Sequence, residues 1–257
     1  RDLHSFPARR SSDLLFCNDS ARDILNMLLS ECTKVNVDIR LDYQIETIKK
    51  LENNIFSIDH TQGSFKVTSL VIACGGLSIP KMCASPLGYQ VAEQFGHHIW
   101  PTAPGLVPFT LQPNDKEKFA ELSGIAIDSI VSNERNQFNE NILYTHRGLS
   151  GPAILQISSY WRPGEIININ LLPELDVVDL LKTRQTKQPN IKLKTVLGEL
   201  LPKRLVLTLL GQTLVDKPLQ ALTHMSFNNI AEQLQNWQIK PNGTEGYRTA
   251  EVTLGGV

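Results

Sequence analysis

The sequence lacks a large net charge of either sign. Its 257 residues carry 25 Lys and Arg against 26 Asp and Glu, which gives a net charge of −1. No global electrostatic field therefore attracts polyanions or membrane surfaces. Cysteine is also scarce, and the four thiols, Cys17, Cys32, Cys74 and Cys83, include no C-x-x-C pair. Together with the absence of a signal-peptide pattern, this predicts no metal site, no dithiol redox centre and a cytoplasmic location.

Two further patterns are absent. No apolar run approaches the roughly 20 residues of a membrane-spanning helix, so we expect no membrane association. No G-x-G-x-x-G follows a predicted first strand, and no acidic residue stands beyond such a motif to hold a ribose. If the chain contains a dinucleotide-binding domain, its first βα unit is expected upstream of residue 1. Residues 1–14 show no periodicity and are set aside as a non-native tail.

The chain is organised around a glycine turn. The apolar run Leu70–Ala73 predicts a strand buried on both faces, and the Gly75-Gly76 pair after it permits positive φ and close approach of another group. The segment Tyr89–Phe95 predicts a helix that ends at Gly96. A buried strand, a glycine turn and a helix are how α/β folds place backbone N–H groups against a nucleotide. A plain strand-to-loop turn explains the same residues equally well.

A helix, a strand and a small antiparallel meander are predicted before this turn. Ser20 caps the helix, with Asp23 in a capping-box-like position. Alternating apolar residues predict a strand over 37–41, and the meander covers 45–67 with a hairpin turn at 60–63. This order suits the FAD-binding kind of dinucleotide fold, in which a meander is inserted into a βαβ half.

Short strands and then helices are predicted after residue 100. The proline-rich segment Pro101–Pro113 indicates a domain crossing. The strand-like runs after it predict a small barrel or sandwich, and they cover residues 107–111, 125–131, 142–144, 154–157 and 166–171. Residues 177–237 have helical periodicity, including one helix over 193–201. Finally, Tyr247–Thr253 alternates as a strand that runs into Gly255 and Gly256.

Basic charge is concentrated in the helical segment 177–237. This segment contains eight Lys and Arg and four Asp and Glu, which gives it a net charge of +4. A solvated helical face and an RNA-contacting patch are both compatible with this composition, and the first is the commoner case.

The densest polar cluster is a predicted loop between two strands at residues 145–152. It contains His146, Arg147 and Ser150, and loops of this kind carry binding groups. Ser150 is not in a G-x-S-x-G elbow, which disfavours a hydrolase. His146 is either catalytic or structural, and a lone His is more often structural.

Two thiols flank the glycine turn. Cys74 ends the predicted buried strand and is expected to be inert packing. Cys83 lies in the following loop and is the better candidate for a reactive thiol.

Five motifs together resemble the BaiN/RdsA (YhiN-like) family of NAD(P)/FAD-dependent oxidoreductases. They are ACGGLSIP at 73–80, PLGYQVAEQFGH at 86–97, LVPF at 106–109, LYTHRGLSGPA at 143–153 and NGTEGYRTAEVTLGGV at 242–257. The resemblance covers about residues 15–257, and the combination of motifs is specific.

The resemblance implies an α/β fold in which a split, partial FAD-binding Rossmann-like domain carries inserted β-barrel-like and helical domains. The FAD-binding domain is expected over 15–105 and 247–257, the β-barrel-like domain over 106–172 and 238–246, and the helical domain over 173–237. It also implies a central fragment, without the G-x-G-x-x-G end and a later flavin-contacting segment, that is inactive on its own.

The resemblance further implies FAD as cofactor, with NAD(P)H as a candidate electron donor. Ile45 is expected near the adenine through its backbone. The ADP part is expected to be lined by Ala73, Cys74, Gly75 and Gly76, and the flavin ring is expected to be approached by Thr253, Gly255 and Gly256. One departure from the family pattern is that Lys81-Met82-Cys83 stands where many members have a glycine.

The closest subgroup is linked to the reduction of uridine to dihydrouridine in large-subunit ribosomal RNA. The resemblance therefore implies an oxidoreductase whose partner is ribosomal RNA. Candidate catalytic groups on the substrate side are His146, Arg147 and Arg248, with Cys83 as the candidate proton donor. Two alternatives stay open: a reductase or oxidase of a small enone or amine, and a non-catalytic RNA-binding module.

Overall fold

The computed structural model describes Cys17 and residues 19–257, and these residues form two compact units, one ending at Val71 and one running from Ile72 to Val257. The predicted tail at 1–14 lies outside the described residues. The first unit contains helix α1 (Arg22–Lys34) and a three-stranded antiparallel sheet in the order β1-β2-β3. Its strands are β1 (Ile45–Lys50), β2 (Phe56–His60) and β3 (Gly63–Val67).

The meander of the first unit is confirmed. Ile48 pairs with Ile58, and both side chains are buried, as alternation with polar neighbours predicts. The hairpin turn predicted at 60–63 closes between His60 and Gly63. This sheet could be predicted from the sequence, because turn residues and the alternation of apolar with polar residues are local signals.

Two predictions before the meander are wrong. The N-cap of α1 is Ala21 and makes no side-chain cap, although Ser20 Oγ accepts the Arg22 N–H at 3.2 Å. Residues 37–41 form no strand, and Val37 and Leu41 are exposed. An alternating pattern becomes a strand only where a neighbour pairs with it, and none of the described residues does so here.

The second unit opens on the glycine turn, and the buried strand predicted there is wrong. Residues 70–76 are irregular, Val71 is 83% exposed, and Cys74 is exposed rather than packed. A strand buried on both faces needs a hydrogen-bonded neighbour on each side, and no strand in the described part of the chain pairs with this segment. The helix that follows is confirmed as α2 (Leu87–Gln94), and it ends at Gly96 with φ +82°.

A seven-stranded sheet in the order β10-β9-β6-β7-β8-β5-β11 forms the centre of the second unit, with every pair antiparallel. Its strands are β5 (Phe109–Thr110), β6 (Ala126–Ser132), β7 (Gln137–Tyr144), β8 (Gly148–Ser150), β9 (Ile167–Asn170), β10 (Trp237–Ile239) and β11 (Gly243–Thr244). Within the described residues the edge strands β10 and β11 do not pair with each other. The small barrel or sandwich predicted here thus takes the form of an open seven-stranded antiparallel sheet, without closure into a complete barrel among the described strands.

The strand predicted at 154–157 is instead helix α4 (Pro152–Ser158). Gly151 precedes it with φ +91°, and Pro152 occupies the first turn, where a missing N–H costs nothing. Ala153, Ile154 and Ile157 are buried, which is helical spacing. An apolar run of four residues cannot by itself distinguish the two structures.

A separate two-stranded sheet pairs β4 (Trp100–Gly105) with β12 (Val252–Gly256). The proline-rich segment predicted as a domain crossing thus contains a strand, and Pro101 and Pro104 fit it because prolines are tolerated in edge strands. The strand predicted from Tyr247 begins only at Val252, because residues 247–250 form a turn in which Ala250 N–H donates to the carbonyl oxygen of Gly246.

Helices cover the segment between β9 and β10, as predicted. They are α5 (Val177–Lys187), α6 (Leu193–Leu197), α7 (Lys203–Leu210), α8 (Gln212–Val215) and α9 (His224–Gln235), and a short α3 (Pro113–Lys118) follows β5. The helix predicted over 193–201 is shorter because α6 ends before Gly198. Sheet and helices share one hydrophobic core that includes Phe109, Tyr144 and Phe227. None of the described helices is long and apolar enough to cross a membrane.

Candidate functional site

Thr253, in strand β12, lies directly against the glycine turn. Its Oγ1 accepts the backbone N–H of Leu77 at 2.9 Å and that of Ser78 at 3.1 Å, and it lies 3.0 Å from Ser78 Oγ. The loop after Gly76 is therefore held by a side chain from the far end of the chain. Gly76, which is expected beside the ADP part of FAD, and Thr253, which is expected beside the flavin ring, therefore lie next to each other.

Gly76 is required by this contact. A Cβ at Gly76 would lie 2.6 Å from Thr253 Oγ1, 2.8 Å from Thr253 Cβ and 3.1 Å from the Tyr89 hydroxyl oxygen. A Cβ atom essentially never lies within 3.0 Å of a nonbonded heavy atom. A side chain at this position would therefore force the turn or Thr253 to move. The space beside the turn is thus filled by Thr253 and by Tyr89 of α2.

The second glycine pair is built in a similar way. Gly255 has φ +76°, falls at an irregularity in the β4–β12 register, and a Cβ there would lie 2.2 Å from the carbonyl oxygen of Pro101. A Cβ at Gly256 would lie 3.2 Å from Cε1 of Tyr89. Tyr89 therefore contacts both glycine pairs, Gly76 with its hydroxyl group and Gly256 with its ring.

The backbone of residues 73–75 is open. Ala73, Cys74 and Gly75 are exposed, Gly75 has φ +71°, and a Cβ there would meet nothing within 4 Å. In the described part of the chain, no hydrogen bond uses the N–H groups of residues 73–76. Free N–H donors beside glycine can bind an anionic group such as a phosphate.

Arg147 and Arg248 converge on one carboxylate. Glu245 Oε2 accepts a hydrogen bond from Arg147 Nη1 and another from Arg248 Nη2, each at 2.9 Å. Arg147 lies in the turn between β7 and β8, and Arg248 lies in the turn after β11. The Glu245 side chain is only 9% exposed, whereas those of Arg147 and Arg248 are 38% and 53% exposed. The carboxylate is thus largely covered while its two cations face solvent.

The arginine pair is tied to the glycine loop through the backbone. Ile79 N–H donates to the carbonyl oxygen of Tyr247 at 2.8 Å, next to Arg248. Ile79 itself has φ +54°, a left-handed conformation that is rare for a β-branched residue. Such strain persists where surrounding contacts impose it and is concentrated at functional sites.

Three predicted positions take no part in the hydrogen bonds and ion pairs described above. His146 is exposed and lines a surface cavity of about 380 Å³ with Pro113, Lys116, Glu117 and Ala120. Cys83 is exposed, has φ +63°, and its N–H donates to Pro80. Ile45 begins β1 in the first unit and pairs with His60. Among the described contacts, neither His146 nor Cys83 meets Arg147 or Arg248.

Sequence reasoning missed Glu245, Tyr89 and Ile79. Glu245 lies 98 residues from Arg147 along the chain, so no local pattern joins them. Its spacing of three residues from Arg248 is a weak signal for the second ion pair. Tyr89 is an ordinary residue of a predicted helix, and only the fold reveals that it faces both glycine pairs.

Residues 103–252 match the family profile described as the HI0933-like protein barrel and H2TH domain. The chain belongs to the HI0933-like family. The match includes the seven-stranded sheet, the helices that follow it and the Arg147–Glu245–Arg248 cluster. The resemblance found in the sequence is thereby confirmed.

Two bacterial relatives share the name ribosomal RNA dihydrouridine synthase. The protein of Escherichia coli K12 is 49% identical over 246 residues, which cover 95% of this chain and 61% of the relative. The protein of Haemophilus influenzae is 41% identical over 250 residues, which cover 95% and 62%.

A third relative carries a different name. The 3-dehydro-bile acid delta(4,6)-reductase of Clostridium scindens is 25% identical over 256 residues, which cover 93% of this chain and 62% of that protein. The chain thus spans about three fifths of the length of the curated relatives it matches.

Proposed function

We propose that the protein is an FAD-dependent reductase that forms dihydrouridine in large-subunit ribosomal RNA. The observation that carries this proposal is the 49% identity, over 95% of the chain, to a protein named ribosomal RNA dihydrouridine synthase. At such identity the chain and its relative share a fold, and the site motifs lie within the shared segment. The 41% identical relative has the same name and supports the same substrate.

The residues around the two glycine pairs fit a dinucleotide cofactor. The free N–H groups of residues 73–76 suit the phosphates of the ADP part, and the open space beside Gly75 gives such a group access to them. When bound and reduced, FAD would supply a hydride to C6 of the uracil ring, while an acid protonates C5. Thr253, Gly255 and Gly256 would line the flavin ring, Ile45 would lie near the adenine, and NAD(P)H is the proposed reductant.

The substrate side is assigned to groups next to the glycine loop. Arg147 and Arg248 provide positive charge and hydrogen-bond donors. Cys83 is the proposed proton donor for C5, and His146 is proposed to contact RNA from its surface cavity. A uracil ring within a duplex cannot reach such a site, so the enzyme would act on a single-stranded or flipped nucleotide.

The test is complementation in an Escherichia coli strain that lacks the 49% identical relative. The full-length protein encoded by the gene that contains this chain is expressed there, and dihydrouridine is quantified by mass spectrometry of nucleosides from purified large-subunit RNA. We expect dihydrouridine to return. A strain that contains the FAD-loaded protein and still lacks the modified nucleoside would overturn the proposal.

A second candidate function is the reduction of a small conjugated enone. The 25% identity to the bile-acid reductase over 93% of the chain favours it. Single-turnover reoxidation of the reduced flavin separates the two: rapid reoxidation by a steroidal enone and none by ribosomal RNA favours the small molecule. A colourless protein that takes up no FAD but binds RNA in a salt-sensitive manner would instead be a non-catalytic module.

A further inference from the structure

The Arg147–Glu245–Arg248 cluster has more positive charge than a structural ion pair requires. One carboxylate accepts from two guanidinium groups, which leaves a net charge of +1. The two bonding nitrogens share the acceptor Oε2, so they lie within twice the 2.9 Å bond length of each other. A single arginine would satisfy the covered carboxylate. The second cation adds repulsion that only another anion would relieve.

The two guanidinium groups retain most of their hydrogen-bonding capacity. Each guanidinium carries five N–H donors, and one donor of each is used by Glu245. No other side chain or carbonyl in the described part of the chain accepts from them. Because 38% and 53% of the two side chains is exposed, the unused donors are open to a ligand in solution.

The chemistry of these donors selects phosphate. A planar guanidinium fork matches the paired oxygens of a phosphate group, and two forks can bind one group from two sides. The net charge of the whole chain is −1, so this attraction is local. The bond from Ile79 N–H to Tyr247 also places the cluster beside the glycine loop, close to the proposed site of reduction.

We propose that Arg147 and Arg248, oriented by Glu245, bind a phosphodiester group of the RNA next to the uridine that is reduced. This inference rests on the proposed function and adds a ligand to the site. Glu245 is a positioning residue: it fixes both guanidinium groups and does not touch the RNA. The cluster contacts the backbone and therefore carries no base specificity.

The experiment compares Arg248→Gln and Arg147→Gln with Arg135→Gln in the FAD-loaded full-length protein. Arg135 also pairs with a carboxylate, that of Glu165, at 2.6 Å and with similar exposure, so it is a matched control on another part of the surface. Binding of unmodified large-subunit RNA is measured against salt concentration. Thermal unfolding of every variant checks that the fold is retained.

We expect each of the two site variants to weaken RNA binding about tenfold, and to lower the slope of log affinity against log salt by about 0.7–0.9, as the loss of one phosphate contact requires. The control should change neither quantity. Arg248→Lys keeps the charge but loses the fork, and we expect it to restore the salt slope but only part of the affinity.

A second arm uses RNA with a neutral methylphosphonate linkage placed at successive positions around the reduced uridine. One position should weaken binding by the wild type and leave binding by the double variant Arg147→Gln, Arg248→Gln unchanged. If wild-type protein reduces ribosomal RNA but the site variants bind as the wild type does, the phosphate site is wrong and the proposed function stands. If wild-type protein neither binds nor reduces ribosomal RNA, the proposed function fails and the phosphate site fails with it.

Discussion

The Oγ1 atom of Thr253 accepts the backbone N–H of Leu77 at 2.9 Å across 176 residues of chain. This bond and its companion to Ser78 hold the glycine loop in place. Both N–H donors are partly buried and depend on one hydroxyl oxygen. The Leu77–Ser78 part of the loop is therefore held by a single side chain, and this can be tested by replacing that side chain.

Thr253→Val keeps the shape of the side chain and removes its oxygen. The N–H groups of Leu77 and Ser78 then lose their acceptor, and we expect a loss of about 1–3 kcal/mol in the free energy of unfolding. FAD uptake, followed by visible absorption, should weaken as well. Thr253→Ser keeps the oxygen and is the matched control. Equal stability of Val and Ser variants would show that the hydroxyl group does not hold the loop.

Gly76→Ala tests the close approach at the turn. The new Cβ would lie 2.6 Å from Thr253 Oγ1, so the loop or strand β12 must move, at a cost of about 1–3 kcal/mol. Gly243→Ala in β11 is the control, because its Cβ would meet only Thr110 Oγ1 at 3.8 Å, an ordinary van der Waals distance. We expect only the Gly76 variant to lose FAD binding in an absorbance titration, and equal binding by both would contradict this account.

Tyr144 provides a test of core energetics that does not involve the site. Its hydroxyl group is buried without a hydrogen-bond partner among the described residues. Burial without a partner is costly, so Tyr144→Phe should leave the protein equally stable or more stable by about 1 kcal/mol at neutral pH. Thermal unfolding measures this. A clear loss of stability would mean that the hydroxyl group has a partner.

Burial raises the pKa of Tyr144 above its ordinary value of 10.0. The folded protein therefore holds the phenol proton at a pH where the unfolded chain releases it. This stabilisation is fully present below pH 10 and falls as pH rises further, by about 1.4 kcal/mol per pH unit. We expect the wild type to lose more stability than Tyr144→Phe between pH 10 and 11. Parallel curves for the two proteins would contradict this.

The helical segment 177–237 can be tested as an RNA surface. Arg184 pairs with Glu199, and Lys192 and Lys194 pair with Asp216, whereas Lys203 and Lys217 have no ion pair among the described residues. If the segment binds RNA, replacing Lys203 and Lys217 by Gln should lower the slope of log affinity against log salt by about 1.5.

The matched control for these two lysines is the double variant Lys50→Gln, Lys66→Gln, which removes the same charge from the first unit. If the salt dependence of RNA binding is unchanged in the Lys203 and Lys217 variant, these lysines belong to a solvated helical face and do not contact RNA. Composition alone was compatible with either case.

Elements with local signals were predictable from the sequence. The β1–β3 meander and α2 follow from alternation, from turn residues and from Gly96 as a helix end. The helix at 152–158 was missed because its apolar run is too short for periodicity to decide. Its signals were Gly151 and Pro152, which start a helix by backbone conformation rather than by hydrophobicity.

Features that depend on distant parts of the chain were not predictable from pattern. Leu70–Ala73 has the composition of a buried strand, but burial depends on neighbours, and Val71 is exposed. The close approach of Thr253 to Gly76 joins a glycine turn that the sequence pattern had marked to a position that only the family resemblance had marked. The convergence of Arg147 and Arg248 on Glu245 could not be predicted from the sequence, because it depends on how the turn between β7 and β8 and the turn after β11 meet in space.

The pairing of β4 with β12 has a consequence for the order in which parts of the chain fold. These strands lie on either side of all the residues that build the large sheet and the helices α3 to α9. Bringing such distant segments together carries a large loop-closure cost until the intervening core has formed. We therefore expect the hydrogen bonds of Thr253 to the glycine loop to form late in folding. Under the proposed function, uptake of FAD at this loop would therefore require that the intervening core has already folded.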